Sequence, residues 1–306
     1  MTGRDAPAPP VSGSPLEAGV LTGWFDRAGR DLPWRRPGTS PWEVLLCEVM
    51  SQQTPVARVE PAWRAWLDRW PGPAELADAS PAEVLRMWGK LGYPRRALRL
   101  QECARVLVER HGGEVPTDLA DLLALPGVGD YTARAVLCFA HGRAVPVVDT
   151  NVRRVVARAV DGRGDAGPPR GRRDLAAVEA LLPADEAVAA RWSVAVMELG
   201  ALVCTARSPR CTDCPVESRC AWVAAGRPEY DGPRRAAQRF AGTDRQVRGL
   251  LLDVLRDGDG PVGRETLDAV WPDDVQRDRA LASLLVDGLL VERGGRYALP
   301  GSVEEG

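Results

Sequence analysis

Residues 122–152 read LLALPGVGDYTARAVLCFAHGRAVPVVDTNV, and the fold turns on this stretch. Two glycines, Gly127 and Gly129, stand one residue apart between two apolar helical runs, the second at 132–140. Pro126 closes the first run, because its ring clashes with a preceding turn and its nitrogen has no hydrogen to donate. The glycines let the backbone turn sharply and come close to a neighbouring group. Amides of the turn and of the following helix start then face outward as donors, which makes a site for an anion such as a phosphate. Twenty residues beyond Gly129, Asp149 follows the apolar PVV and precedes a further helical segment, TNVRRVVARAV. A phosphate grip followed by a positioned carboxylate points to chemistry on a nucleic-acid backbone or sugar. The alternative is a tight turn between core helices, with Asp149 capping the helix after it.

With 306 residues the chain is long enough for two domains and a small appendage. Apolar residues at 45% and charged ones at 27% describe a soluble globular protein rather than a fibrous or disordered one. No run approaches the roughly eighteen apolar residues that a bilayer span needs. The start, MTGRDAPAPPVSGSP, lacks the apolar centre of a secretory signal, so residues 1–18 read as a disordered leader and the expected location is cytoplasmic. Net charge is -2, but residues 243–306 hold 13 acidic residues against 8 arginines, which leaves 32 basic against 29 acidic in the rest. Arg153-Arg154, the 170–173 cluster and Arg234-Arg235 could meet phosphates, although charge runs commonly form solvated faces. Lys90 is the single lysine, and only His111 and His141 are available for histidine chemistry.

Helical periodicity appears at 21–30, 42–53, 56–70, 81–90, 95–111, 174–182 and 187–203. Ser80, Pro81 and Glu83 have capping-box spacing. Trp63, Trp66 and Trp70 share one helix face and read as core. No alternating strand pattern occurs before residue 240, so the body reads as all-α. Residues 226–242 look like a linker, followed by three helices and a β-hairpin turning at Gly294-Gly295, a small winged-helix-like module.

Four of the seven cysteines form the pattern Cys204-x6-Cys211-x2-Cys214-x5-Cys220. Four thiols so close in a chain without a secretory signal point to metal rather than disulfides. The uneven spacing with one CxxC suits an iron–sulfur cubane better than zinc. Residues 205–210, TARSPR, form a basic loop between the first two candidate ligands. Cys47, Cys103 and Cys138 lie in apolar helical contexts and read as buried thiols.

The succession LPWR (32–35), EVMSQQT (48–54), KLGYPRR (90–96), LPGVGDYTA (125–133), VVDTNVRRV (147–155), MELGALVC (197–204) and the four-cysteine loop resembles MutY-type adenine DNA glycosylases of the helix-hairpin-helix superfamily, in a short actinobacterial-like form. The resemblance covers residues 20–225. It implies a six-helix barrel carrying the hairpin (43–149), a helical domain for a [4Fe-4S] cluster (19–42 with 150–225), and a flipped adenine held in a cleft between them. Glu48, four residues from Val44 and Gln52 on one helix face, corresponds to the family's acid, which protonates the base; Asp149 corresponds to the carboxylate that meets the positive sugar. The resemblance gives Arg30 and Glu198 to the adenine edge, Tyr131 to the pocket lining and Asn151 to the support of Asp149. It gives Gln53 and Tyr93, beside Gln52, to the base stack. Strand-nicking members carry a lysine where Tyr131 stands, so a monofunctional glycosylase is implied, acting as a monomer on double-stranded DNA with adenine opposite 8-oxoguanine or guanine. Ser51 departs from the leucine usual in the QQT motif, and residues 243–306 do not look like the Nudix-like domain that ends many relatives. A thymine/uracil mismatch glycosylase of the same superfamily and a non-catalytic iron–sulfur DNA-binding protein are the competing readings.

Overall fold

A computed structural model describes residues 13–233 and 240–302. In chain order the helices are α1 (Ala18–Ala28), α2 (Pro41–Ser51), α3 (Val56–Arg69), α4 (Pro73–Asp78), α5 (Pro81–Trp88), α6 (Arg95–His111), α7 (Leu119–Ala124), α8 (Asp130–Phe139), α9 (Thr150–Ala159), α10 (Arg172–Glu179), α11 (Glu186–Leu202), α12 (Ala221–Ala224), α13 (Asp244–Asp257), α14 (Arg264–Asp268) and α15 (Asp274–Val286). Strands β1 (Val262–Gly263), β2 (Val291–Arg293) and β3 (Arg296–Ala298) complete the described elements. The chain divides into two compact units, residues 1–31 with 137–235 and residues 32–136 with 236–306.

In the first unit α1, α9 and α11 pack around Leu21, Trp24, Val152, Val155, Trp192, Val196 and Leu199, all buried. Residues 1–12 of the expected leader lie outside the described residues, while Leu16 is buried and its carbonyl accepts a 2.8 Å bond from the Trp192 indole. Of the expected linker, residues 234–239, which include Arg234 and Arg235, lie outside the described residues. Before them the chain docks on this unit, where the Trp222 indole donates to the Pro228 carbonyl at 2.9 Å.

The second unit is built on α2 to α7, the start of α8, and the C-terminal module. The tryptophan stripe is core: Trp63, Trp66 and Trp70 are buried, and Trp66 meets Trp70 and Trp88 edge-on at 5.0 and 5.5 Å. Each indole N–H still needs an acceptor, which Trp63 finds at the Glu43 carbonyl and Trp66 at that of Met87. Ser40 and Glu43 close a capping box that fixes where α2 starts. The short α4 carries no period of its own and was not expected; it forms because Pro73 and Glu75 start a helix after Gly72. In the module, β2 and β3 form the expected hairpin, with Gly294 and Gly295 both at positive φ. The sequence does not announce the third strand: β1 is two residues long and pairs with β3, giving the order β1-β3-β2. Among the described residues no helix is long and apolar enough to cross a membrane.

Candidate active site

Asp149 is the N-cap of α9, as the capping reading has it. Its Oδ1 accepts the Val152 amide at 2.7 Å and its Oδ2 accepts the Asn151 side-chain amide at 2.8 Å. Burial pushes the carboxyl above the usual aspartate value, opposed by the bonds from Val152 and Asn151 and by the Arg154 charge. The network continues inward. Arg154 donates to Asn151 Oδ1 at 2.7 Å, to the Gly200 carbonyl at 2.6 Å and to the Cys204 carbonyl at 2.7 Å. A Cβ on Gly200 would stand 2.6 Å from that of Asn151 and 2.9 Å from its carbonyl oxygen, so only glycine lets α11 approach α9 this closely. The sequence left Arg153-Arg154 open between a phosphate contact and a solvated face, and in the structure neither side chain is free for either. Arg154 is buried, and Arg153 is spent on Asp174 at 2.8 Å and on loop carbonyls, because the carbonyls at the ends of α11 and of the 166–168 loop need donors.

On α11, Glu198 is fully buried and both its oxygens are engaged by Arg30, at 2.6 Å from Nε and 2.7 Å from Nη2, with a further bond from the Arg30 amide. This bidentate pair ties the segment after α1 to the C-terminal half of α11.

Cys204, Cys211, Cys214 and Cys220 line one small pocket with Val203, Val223 and Trp222. The Arg158 guanidinium lies over the Trp222 ring at 4.8 Å and stands 3.4 Å from Cys204 Sγ. Among the described residues no group of three or more His, Cys, Asp or Glu side chains is arranged to hold a single metal ion. Four cysteines gathered on one pocket beside the Arg158 guanidinium are a donor set of the kind that thiolate-ligated clusters use. In the basic 205–210 loop Arg207 is exposed, whereas Arg210 donates to the Leu202 carbonyl at 3.0 Å.

In the second unit Glu48 is half-buried on α2, flanked by buried Cys47 and Val49 and one turn after buried Val44. Gln52 caps the same helix and donates to Thr132 Oγ1 at 3.2 Å, which joins the end of α2 to the first turn of α8, where Tyr131 sits half-buried. The hairpin turn between α7 and α8 is anchored by buried Leu125 and Val128. Gly127 has φ +79, and a Cβ there would strike Arg99 Cβ at 2.9 Å. Gly129 differs from expectation: it has no positive φ, and a Cβ on it would meet nothing within 4 Å. The sharp turn is the work of Gly127 alone; Gly129 leaves open space where an outside group can approach.

Gln53 and Tyr93 share an unexpected property. Among the described residues three that are not glycine have positive φ, and these two are at +58 and +47. Left-handed backbone costs a residue with a Cβ about 1–2 kcal/mol and concentrates at functional sites. Both turns are held by Arg96, which sequence reasoning passed over within KLGYPRR. Its guanidinium donates to the carbonyls of Val49 (2.7 Å), Met50 (3.1 Å) and Gly92 (3.0 Å) and to Thr54 Oγ1 (3.1 Å). It also lies over the Trp88 ring at 5.0 Å, and burial pulls its pKa down to about 10. No periodicity marks such a residue; the only sequence signal is its place after a glycine-rich turn.

A family model described as HhH-GPD superfamily base excision DNA repair protein matches residues 46–176. The chain is 60% identical over 298 residues to the adenine DNA glycosylase of Mycolicibacterium smegmatis, a match that covers 97% of this chain and 99% of the relative. Coverage of that extent necessarily takes in most of the C-terminal module. Among solved structures, that of a thermostable thymine-DNA glycosylase superposes with a TM-score of 0.61 at 26% identity, covering 67% of this chain and 94% of the other. A non-covalent endonuclease III–DNA complex superposes with a TM-score of 0.58 at 25% identity, covering 69% and 94%. The chain therefore belongs to the adenine DNA glycosylases, within the HhH-GPD superfamily of base excision DNA repair proteins.

Proposed function

We propose that this protein acts as a monomer on double-stranded DNA and releases adenine mispaired with 8-oxoguanine or guanine, by hydrolysis of the N-glycosidic bond. The observation that carries this reading is the 60% identity sustained over nearly the whole length of both chains. The open space over Gly129, at the start of α8, suits a phosphate beside the extruded nucleotide. Glu48 gives its proton to a ring nitrogen of the adenine. The bond between that base and the sugar breaks with its electron pair going to the base, which departs neutral. The positive sugar is met by Asp149, a carboxylate kept half-buried, where its charge is less screened than in water. Water adds to the anomeric carbon and its proton passes to Asp149 or to solvent. Asn151 and Arg154 keep Asp149 in place.

The Arg30–Glu198 pair leaves no carboxylate oxygen without a donor, so its part in holding an adenine edge falls to the outer face of Arg30. Gln53 and Tyr93, pre-set in left-handed backbone, enter the base stack beside the vacated position, with Gln52 at its edge. Cys204, Cys211, Cys214 and Cys220 hold a [4Fe-4S] cluster, which when bound supplies the cross-link that fixes the 204–220 loop. The reaction is base release without strand cleavage. Tyr131 stands where a Schiff-base lysine would have to be, and Lys90, on another turn, is 3.5 Å from Asp253.

The likeness to a thymine-DNA glycosylase structure makes the choice of base the point to test. Duplexes carrying A:8-oxoG, A:G, T:G and U:G are incubated with the protein and the freed base is quantified. Release confined to adenine supports the reading, and preferred release of thymine or uracil overturns it. Borohydride treatment is expected to trap no protein on DNA; efficient trapping would contradict the monofunctional assignment.

A further inference from the structure

The C-terminal module has no part in the chemistry above, yet its polar contacts with the second unit gather on one short turn. Arg245 donates to the Tyr93 hydroxyl at 2.9 Å. Its guanidinium lies between two exposed rings, 6.0 Å from the centre of Tyr93 and 5.3 Å from that of Phe240. Asp287 accepts from Arg95 at 3.1 Å through one oxygen and from Arg248 at 2.6 Å through the other. Asp253 lies 3.5 Å from Lys90. A Cβ on Gly301 would be 2.9 Å from the Pro81 ring, so the last described residues press on the start of α5. The contacts thus take hold of the turn at residue 90, at 93 and at 95.

That turn gathers three residues at positive φ, Gly89, Gly92 and Tyr93 at +51, +85 and +47, of which only the tyrosine carries a Cβ. Exposed charge pairs contribute little to global stability one by one. Two of them on six residues, with an arginine that bonds the Tyr93 hydroxyl and lies near two rings, are of the size needed to offset the cost of one left-handed tyrosine. The module's charge supports the same role. Its 13 acidic residues outnumber its 8 arginines, and the acids Asp253 and Asp287 are turned to Lys90 and Arg95, so it is poorly suited to grip phosphates itself.

We infer that the C-terminal module sets the conformation of the Tyr93 turn, with Arg245 as a positioning residue for that tyrosine. This rests on Tyr93 entering the base stack. A wedge held in its working conformation before DNA arrives need not be ordered during insertion, so opening the mismatch is faster.

The test compares the full-length protein with Arg245→Ala, Tyr93→Phe, the double variant, Arg245→Lys and Asp287→Asn. Single-turnover adenine release from an A:8-oxoG duplex, the fluorescence of a 2-aminopurine placed next to the mismatch, and Tm are measured for each. Arg245→Ala is expected to slow release roughly tenfold and to reduce the unstacking signal, with Tm within about a degree of the parent. Tyr93→Phe loses one hydrogen bond and is expected to slow release about threefold. The double variant is expected to be no slower than Arg245→Ala, and Arg245→Lys to recover part of the loss. Release at the parental rate in Arg245→Ala, independent effects in the double variant, or a loss that follows Tm would each overturn the inference. Should Arg245→Ala not fold, Arg245→Lys and Asp287→Asn carry the same comparison, and parental behaviour in both overturns it. A parent that frees no adenine defeats the proposed function instead, and the 2-aminopurine signal then still decides whether Arg245 governs the turn.

Discussion

The carboxylate site in one unit and the paired turns in the other are stapled by the same device, an arginine donating to main-chain carbonyls, yet they differ in strain. Around Asp149 everything is relaxed: the side chain is a helix cap, Asn151 lies two residues away, and Arg154 reaches the Gly200 and Cys204 carbonyls. Around Arg96 the backbone is left-handed at Gln53 and Tyr93, and the second turn takes further support from a module over 150 residues away in sequence. A group that must present charge is best held by short, local hydrogen bonds. Under the proposed function, the side chains that push into stacked bases are held in advance in a conformation they would not choose.

The comparison is broken first at the chemistry. Asp149→Asn can keep the cap bond from Val152 but removes the charge and the acceptor of the Asn151 amide, and is expected to lower single-turnover adenine release by roughly 10²- to 10⁴-fold. Glu48→Gln is expected to fall in the same range. If either variant keeps more than a tenth of parental release, its assigned role fails.

Next come the staples. Arg96→Ala strands several buried acceptors at once, and a loss of at least about 3 kcal/mol is expected in denaturant unfolding, given a cost of about 1–3 kcal/mol for each buried group left unsatisfied. Arg154→Ala is expected to be comparable, and to reduce adenine release as well, because Asn151 is freed. Gly200→Ala forces Cβ against Asn151 and is expected to cost about 1–3 kcal/mol while slowing release through displacement of α9. A Gly200→Ala protein with parental stability would show that the approach of α9 to α11 is loose.

The smallest effects separate cap from charge. Asp149→Ala should be less stable than Asp149→Asn by about 1 kcal/mol, since alanine cannot accept from the Val152 amide. The sign of the pH effect follows from burial. A folded-state pKa above the unfolded value means that the native state binds the proton more tightly, so ionising Asp149 costs stability as pH rises through that interval. Asp149→Asn is therefore expected to match or exceed the parental Tm at neutral pH while remaining inactive. In the active protein, the acidic limb of the rate profile should lie above the ordinary aspartate value.

Much of this was legible in the residues themselves. The cap at Asp149 and the turn at Gly127 follow from local backbone chemistry, the tryptophan core from spacing, and the hairpin from paired glycines. The cysteine loop showed itself by thiol count. What stayed hidden depends on partners far apart in sequence. Arg154 and Arg96 look like any other members of an arginine-rich chain until the carbonyls they satisfy are in place. Glu198 gives no sign that Arg30, 168 residues away, takes both its oxygens. The left-handed backbone at Gln53 and Tyr93 has no signature, since neither is a residue that favours it. Gly129, read as a turn residue, matters for the space it leaves, and composition cannot tell those two uses of glycine apart.

The most direct test of the central claim is single-turnover release of the free base from A:8-oxoG and T:G duplexes by the parent, Glu48→Gln and Asp149→Asn, with duplex binding measured alongside. The expected result is adenine release by the parent alone, with both variants still binding the A:8-oxoG duplex. Adenine release at the parental rate by either variant, or thymine release by the parent in preference to adenine, would contradict it.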